Sequence, residues 1–243
     1  MAWRINYPID FSHRGLVYPI IRATLRIGTP ILFLQIVLGF VLATIIAYAA
    51  YRARALNQSG AVAAVLLGSV IFGIGGLEMA ILLIAFFVTS SILSRMFGRR
   101  KHSLDEKFSK GSQRDAAQVL ANGGVAGLFV LAGLFFSGAD WPLTAAAAAI
   151  AAANADTWAT ELGVLNPTRP ILITSGQPVD RGTSGGISRG GTLAAAAGAG
   201  VIALLAALTP PQMLGFAGSP TTPALSAFNR GPIDLLLFTI LTV

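Results

Sequence analysis

A chain of 243 residues, 54% hydrophobic and only 11% charged, with a mean hydropathy of +0.72, is not a water-soluble domain, in which about a quarter of residues carry charge. It has no cysteine, which excludes disulfides, thiolate zinc sites and cysteine nucleophiles. A net charge of +7 on so apolar a chain orients it in a membrane and attracts anionic headgroups or substrates, and nucleic acid is not expected as a partner.

The expected fold class is all-α, a polytopic helical bundle of about six to seven spans, because a spanning helix needs about 20 mostly apolar residues. Residues 1–29 form a basic N-terminal segment with no signal-peptide pattern, and Tyr18 to Ile27 suits an amphipathic helix lying in the interface. The transmembrane catalytic domain is expected over residues 30–208. Its first span runs from Pro30 to Tyr51, closed by Arg52 and Arg54, and its second from Ala55 to Leu77, rich in glycine that suits close helix packing. A short third span, Met79 to Ser94, follows Glu78 and ends at Arg95. Residues 95–114 then form a basic loop, too charged to lie in hydrocarbon. A fourth span covers Asp115 to Phe136 and a fifth Trp141 to Val164, an alanine run interrupted by Asn154, Asp156 and Glu161. A glycine- and proline-rich loop over 166–191 leads into a sixth span from Thr192 to Leu208. Residues 209–243 read as a connector and a partial C-terminal helix, since Ile233 to Val243 is too short to cross.

The loops after the first, third and fifth spans share one side of the membrane and hold two, seven and three of the 17 basic residues, so that face is cytoplasmic by the positive-inside rule. Three stretches begin alike, at Ser59-Gly60, Gly123-Gly124 and Gly190-Gly191, a weak sign of an internal repeat.

Three groups of residues carry chemical capacity. Arg114, Gln118 and Asn122 are spaced by four, so a helix sets them on one stripe as it enters the membrane, able to meet an anionic or polar group; interfacial anchoring is the alternative. Asp156 and Glu161 are costly in a span, about 2.5–3.5 kcal/mol each near its centre, and need a partner or a watery cavity. With Asn154 and Thr157 beside them they could share one Mg²⁺ whose shell phosphate oxygens and water complete, or form structural ion pairs with Arg114 or Lys107. Zinc is disfavoured by the absence of cysteine and by two histidines, His13 and His102, in unrelated segments. Finally, Gly182, Thr183, Ser184, Gly185 and Gly186 precede a helix, where backbone N–H groups and hydroxyls can turn toward an anion, although a flexible loop is an equal reading.

The pieces Leu56-Asn57-Gln58-Ser59-Gly60-Ala61, Phe86-Phe87 with Ser90-Ser91, Lys107, Arg114 with Gln118 to Gly124, Ala155 to Gly163, and Gly182 to Gly186 stand in the order found in one integral membrane family. In these the chain resembles the family catalogued as domain of unknown function 92, related to transmembrane protein 19. The resemblance implies phytyl-phosphate kinase activity, in which a nucleoside triphosphate, CTP among the candidates, phosphorylates a prenyl monophosphate to the diphosphate. It also implies a final glycine-rich helix with an Asp-Ser pair and a Gln, which the residues after Leu208 do not carry; Asp234 is followed by Leu235.

The resulting expectation is a membrane kinase of prenyl phosphates. Its tail lies between helices, Asp156 and Glu161 hold Mg²⁺, Lys107, Arg114 and the Gly182 to Gly186 backbone neutralise the transferring phosphoryl, and Gln118 and Asn122 orient the acceptor. The partners are the prenyl lipid, the nucleotide and membrane lipids, with self-association into a homo-oligomer left open. A transporter or flippase of a phosphorylated lipid or small anion is the alternative, and a non-catalytic lipid-binding scaffold a weaker one.

Overall fold

The computed structural model describes residues 29–102, 113–136, 139 and 141–209. The amphipathic N-terminal segment, Lys107, and the C-terminal connector and partial helix all lie outside the described residues. Five helices and one minimal hairpin make up the described part: α1 (Thr29–Arg52), α2 (Gln58–His102), α3 (Ala116–Phe135), α4 (Trp141–Gly163), β1 (Ile171–Leu172), β2 (Gly186–Ile187) and α5 (Arg189–Leu208). The two strands pair antiparallel, Ile171 with Ile187 and Leu172 with Gly186, a small departure from an all-α chain.

Several helices begin where a side chain can satisfy their first free N–H groups. The Asn57 side-chain oxygen accepts from Gly60 N at 2.8 Å at the start of α2. Asp115 and Gln118 form a reciprocal capping box on α3, and Ser188 Oγ accepts from Gly191 N at 3.1 Å on α5. Of the three stretches that begin alike, the first and third open helices, whereas Gly123-Gly124 lies inside α3, so they do not mark equivalent positions.

α2 is two helices in one. Gly76 adopts φ 76°, ψ −174°, a conformation open essentially to glycine alone, and the chain turns back there. Leu67 and Leu83 would stand about 24 Å apart on a straight helix. Both nevertheless lie within 4 Å of the position a Cβ on Gly123 of α3 would take. The hairpin therefore brings both ends of α2 to one end of the bundle, where the Arg95 guanidinium donates to the Ala53 carbonyl. Past Ser94 the helix continues to His102, so the first part of the expected basic loop is helical, with no proline to stop it.

Among the described residues four helices are long and apolar enough to cross a membrane, over Phe33–Arg52, Gln58–Phe97, Ala116–Phe135 and Arg189–Leu208. That is fewer than the six to seven spans expected. The second and third expected spans are merged in α2, the polar residues of α4 lower its hydropathy, and Ile233 to Val243 lies outside the described residues.

The core runs through Ile71, Met79 and Leu82 of α2, Val130 of α3, Ile150 of α4 and Ile202 of α5, with alanines between α4 and α5 that let the backbones approach. A polar knot crosses it. Asn154 is fully buried; its side-chain oxygen accepts from Thr89 Oγ1 at 3.2 Å and Ser90 Oγ at 3.3 Å, and its Nδ2 donates to the Gly198 carbonyl at 2.7 Å. These bonds join α2, α4 and α5 in a medium where an unmet polar group is expensive.

Candidate functional site

The site is built around Arg114, which precedes α3 rather than standing on it. Its backbone forms a bridge with Leu56: Arg114 N donates to Ala55 O at 3.0 Å, and Asn57 N donates to Arg114 O at 3.1 Å. Gly60 is required beside this bridge, because a Cβ there would collide with the Arg114 carbonyl. The anchored backbone sends the side chain inward, half-buried, with Nη1 donating to Ser91 Oγ at 3.4 Å. The guanidinium carbon lies 5.7 Å from the Phe86 ring centroid and 5.4 Å from that of Phe87, within cation–π range. Burial lowers the Arg114 pKa from its usual value and the Glu161 carboxylate raises it again, so the group remains a cation.

Glu161 is buried near the end of α4, and its Oε1 accepts from Ser94 Oγ at 2.9 Å. Ser91 and Ser94 stand one turn apart on α2. Ser91 accepts from the guanidinium, and Ser94 donates to the carboxylate. Burial of this kind holds a charge pair in place in surroundings where its field is weakly screened.

The remaining expected residues fall into three sets. Asn122 lines, with Arg114, the polar end of an otherwise apolar cavity between α1, α2 and α3. Gln118 does not extend the stripe: its side-chain oxygen faces back to the Asp115 N–H at 3.4 Å, and Arg114 lies outside the helix, so the spacing of four is not one helical face. Asn154 is consumed by the polar knot, and Thr157 Oγ1 donates to Ala153 O at 2.9 Å within α4. Asp156 is exposed, whereas Glu161 is buried. Five residues turn a helix by about 140° beyond a full turn, so the two carboxylates face different surroundings and one Mg²⁺ held by both does not fit this arrangement.

In the loop after α4, Gly182, Thr183, Ser184 and Gly185 are exposed and Gly186 is half-buried. Gly182 and Gly185 take φ 85° and 77°, and two of the amides are used in turns, Thr183 N to Asp180 O at 3.2 Å and Gly186 N to Thr183 O at 3.0 Å. An anion cradle formed by all five N–H groups is therefore not preformed. Arg181 Nη2 ties the loop to Pro167 O at 2.8 Å. Among the described residues no three His, Asp or Glu side chains converge as a metal cluster.

Phe86, Phe87, Ser91 and Ser94 acquire their place only here. The aromatic pair and the serines stand out in the sequence, yet nothing in their spacing assigns them to Arg114 and Glu161, which lie on other elements.

A bundle of helices long and apolar enough to cross a membrane defines an integral membrane protein. The chain belongs to the integral membrane protein family DUF92, whose family model matches residues 41–232. It is 34% identical over 185 residues to Protein PGR of Arabidopsis thaliana, covering 70% of this chain and 63% of that protein, less than two thirds of the relative's length. It is 35% identical over 175 residues to an uncharacterized membrane protein of Methanocaldococcus jannaschii, covering 71% and 69%. A similar protein of Synechocystis is 31% identical over 142 residues, covering 57% and 55%. No solved structure matches the chain significantly.

Proposed function

We propose that the protein is a kinase of prenyl monophosphates, transferring the terminal phosphoryl group of a nucleoside triphosphate to the phosphate of a membrane-dissolved prenyl lipid. The observation that supports it most is the position of Arg114, a half-buried cation at the head of an apolar cavity. A cation there suits the anionic head of a lipid whose tail stays among the helices.

In this reading the Arg114 fork binds two oxygens of the acceptor phosphate, with Phe86 and Phe87 fixing its plane and Asn122 donating to the same head. An acceptor oxygen attacks the terminal phosphorus, a new P–O bond forms, and the bond to the bridging oxygen breaks to release the nucleoside diphosphate. The acceptor is already ionised, so no strong general base is needed, and catalysis rests on positioning and charge stabilisation. The Glu161 carboxylate, held by Ser94, favours the ionised form of the half-buried arginine. Mg²⁺ enters as the metal complex of the nucleotide, as part of the co-substrate.

The test is incubation of purified protein with prenyl monophosphates and labelled nucleoside triphosphates, followed by lipid chromatography. Labelled prenyl diphosphate is the expected product. No product with any nucleotide, together with movement of the prenyl phosphate across sealed vesicles, would replace the kinase with a transporter.

A further inference from the structure

A cavity lies below Arg114, part of it open to the surroundings of the bundle. Apart from Arg114 and Asn122 its walls are apolar. Its lining mixes small residues, Ala43, Ala47 and Ala50 of α1 with Ala64 and Gly68 of α2, and large ones, Leu67, Leu83, Phe86 and Phe87 of α2. At the head, Ala64 packs with Phe87 and Leu56 close to the guanidinium. At the far end stands Phe72, buried on the same arm of α2. From Ala64 to Phe72 is eight residues, about 12 Å along a helix.

We infer that this cavity is the berth of a single prenyl chain and that Phe72 closes it, so that the distance from Arg114 to Phe72 sets which chain lengths the protein accepts. The inference rests on the prenyl-phosphate reading of the site. Arg114 is the one cation among the described residues lining the cavity and matches one anionic head, the walls apart from Asn122 are apolar as a prenyl chain requires, and the open side gives a chain already in the bilayer a lateral way in. A chain longer than the berth must bend or leave its last unit against lipid, and loses the contact energy of that unit.

The experiment is equilibrium binding of photoreactive prenyl monophosphates of two to five isoprene units to the full chain in detergent, without nucleotide, followed by mapping of the labelled residues. Wild type is expected to bind most tightly up to one length and to place the label near Phe72. Phe72→Ala should extend the accepted length by about one unit, and Ala47→Leu, which fills the middle of the cavity, should shorten it, each with about a tenfold change for the affected ligand. Should Phe72→Ala not fold, Phe72→Leu with Ala47→Leu carries the comparison. An unchanged length profile in these variants, or label confined to the outer face of α1, overturns the inference. Phosphoryl transfer is measured separately on the same samples. Binding with the expected length shifts but no transfer would leave the berth standing and remove the kinase, whereas transfer with an unshifted length preference would do the reverse.

Discussion

Arg114 and Leu56 are joined backbone to backbone, with the Arg114 N–H and carbonyl bonded to the residues on either side of Leu56. The segment before α3 is thereby fixed to the turn between α1 and α2. The guanidinium is aimed by this bridge and not by a helix, which makes its direction independent of where α3 begins.

If that aim serves a phosphate, Arg114→Lys keeps the charge and loses the planar fork. Turnover should fall by about an order of magnitude or more, since a charge-assisted hydrogen bond contributes about 1.5–3 kcal/mol. Arg52→Lys, on an exposed side chain of the same face, should change kcat/KM little. Equal losses at both positions would mean that the basic face acts only as a diffuse field.

Glu161 and Asp156 should separate sharply. Glu161→Gln removes the negative partner of the half-buried Arg114 and is expected to lower both thermal stability and turnover. Asp156→Asn acts on an exposed side chain and should leave the melting temperature near that of wild type. Melting curves in detergent and single-turnover rates on both variants make the comparison, and a larger loss of stability from Asp156→Asn would contradict the placement of the two groups.

Asn154→Leu leaves Ser90 without the Asn154 acceptor and removes the side-chain donor to the Gly198 carbonyl, whereas Thr89 still donates to the Ala85 carbonyl. An unmet buried polar group costs about 1–3 kcal/mol. The melting temperature should drop while the activity per folded molecule persists, because these bonds are structural. Loss of activity with an unchanged melting temperature would return Asn154 to the binding site.

The α2 hairpin predicts sidedness. In a chain without native cysteines, Gln113→Cys and Ser184→Cys, both at exposed positions, should react with an impermeant reagent from one side of the membrane and Leu77→Cys from the other. Gly76→Ala should cost about 1–3 kcal/mol, since alanine strains at φ 76°, ψ −174°. Labelling of all three cysteines from one side would show that α2 does not fold back.

Hydropathy alone determined the membrane class and set the ends of α1, α3 and α4 to within about two residues, because the transfer of each apolar residue into lipid is a local quantity. The boundary between the second and third expected spans, at Glu78, lay two residues from Gly76, where α2 breaks, and helical periodicity put Asn154, Thr157 and Glu161 on one face, but it set Asp156 at the edge of that face whereas Asp156 is exposed. Tertiary structure decided the rest. That Ser94 meets Glu161 across 67 residues, that Asn154 is spent on Thr89, Ser90 and Gly198, and that Arg114 leaves the helical stripe to bridge Leu56 all depend on which helices dock side by side. Periodicity fixes a side chain's direction around its own axis and is blind to the neighbour it will find there; only the docking of α2 between α1, α3 and α4 supplies the partner that determines whether a buried polar group builds the core or the site.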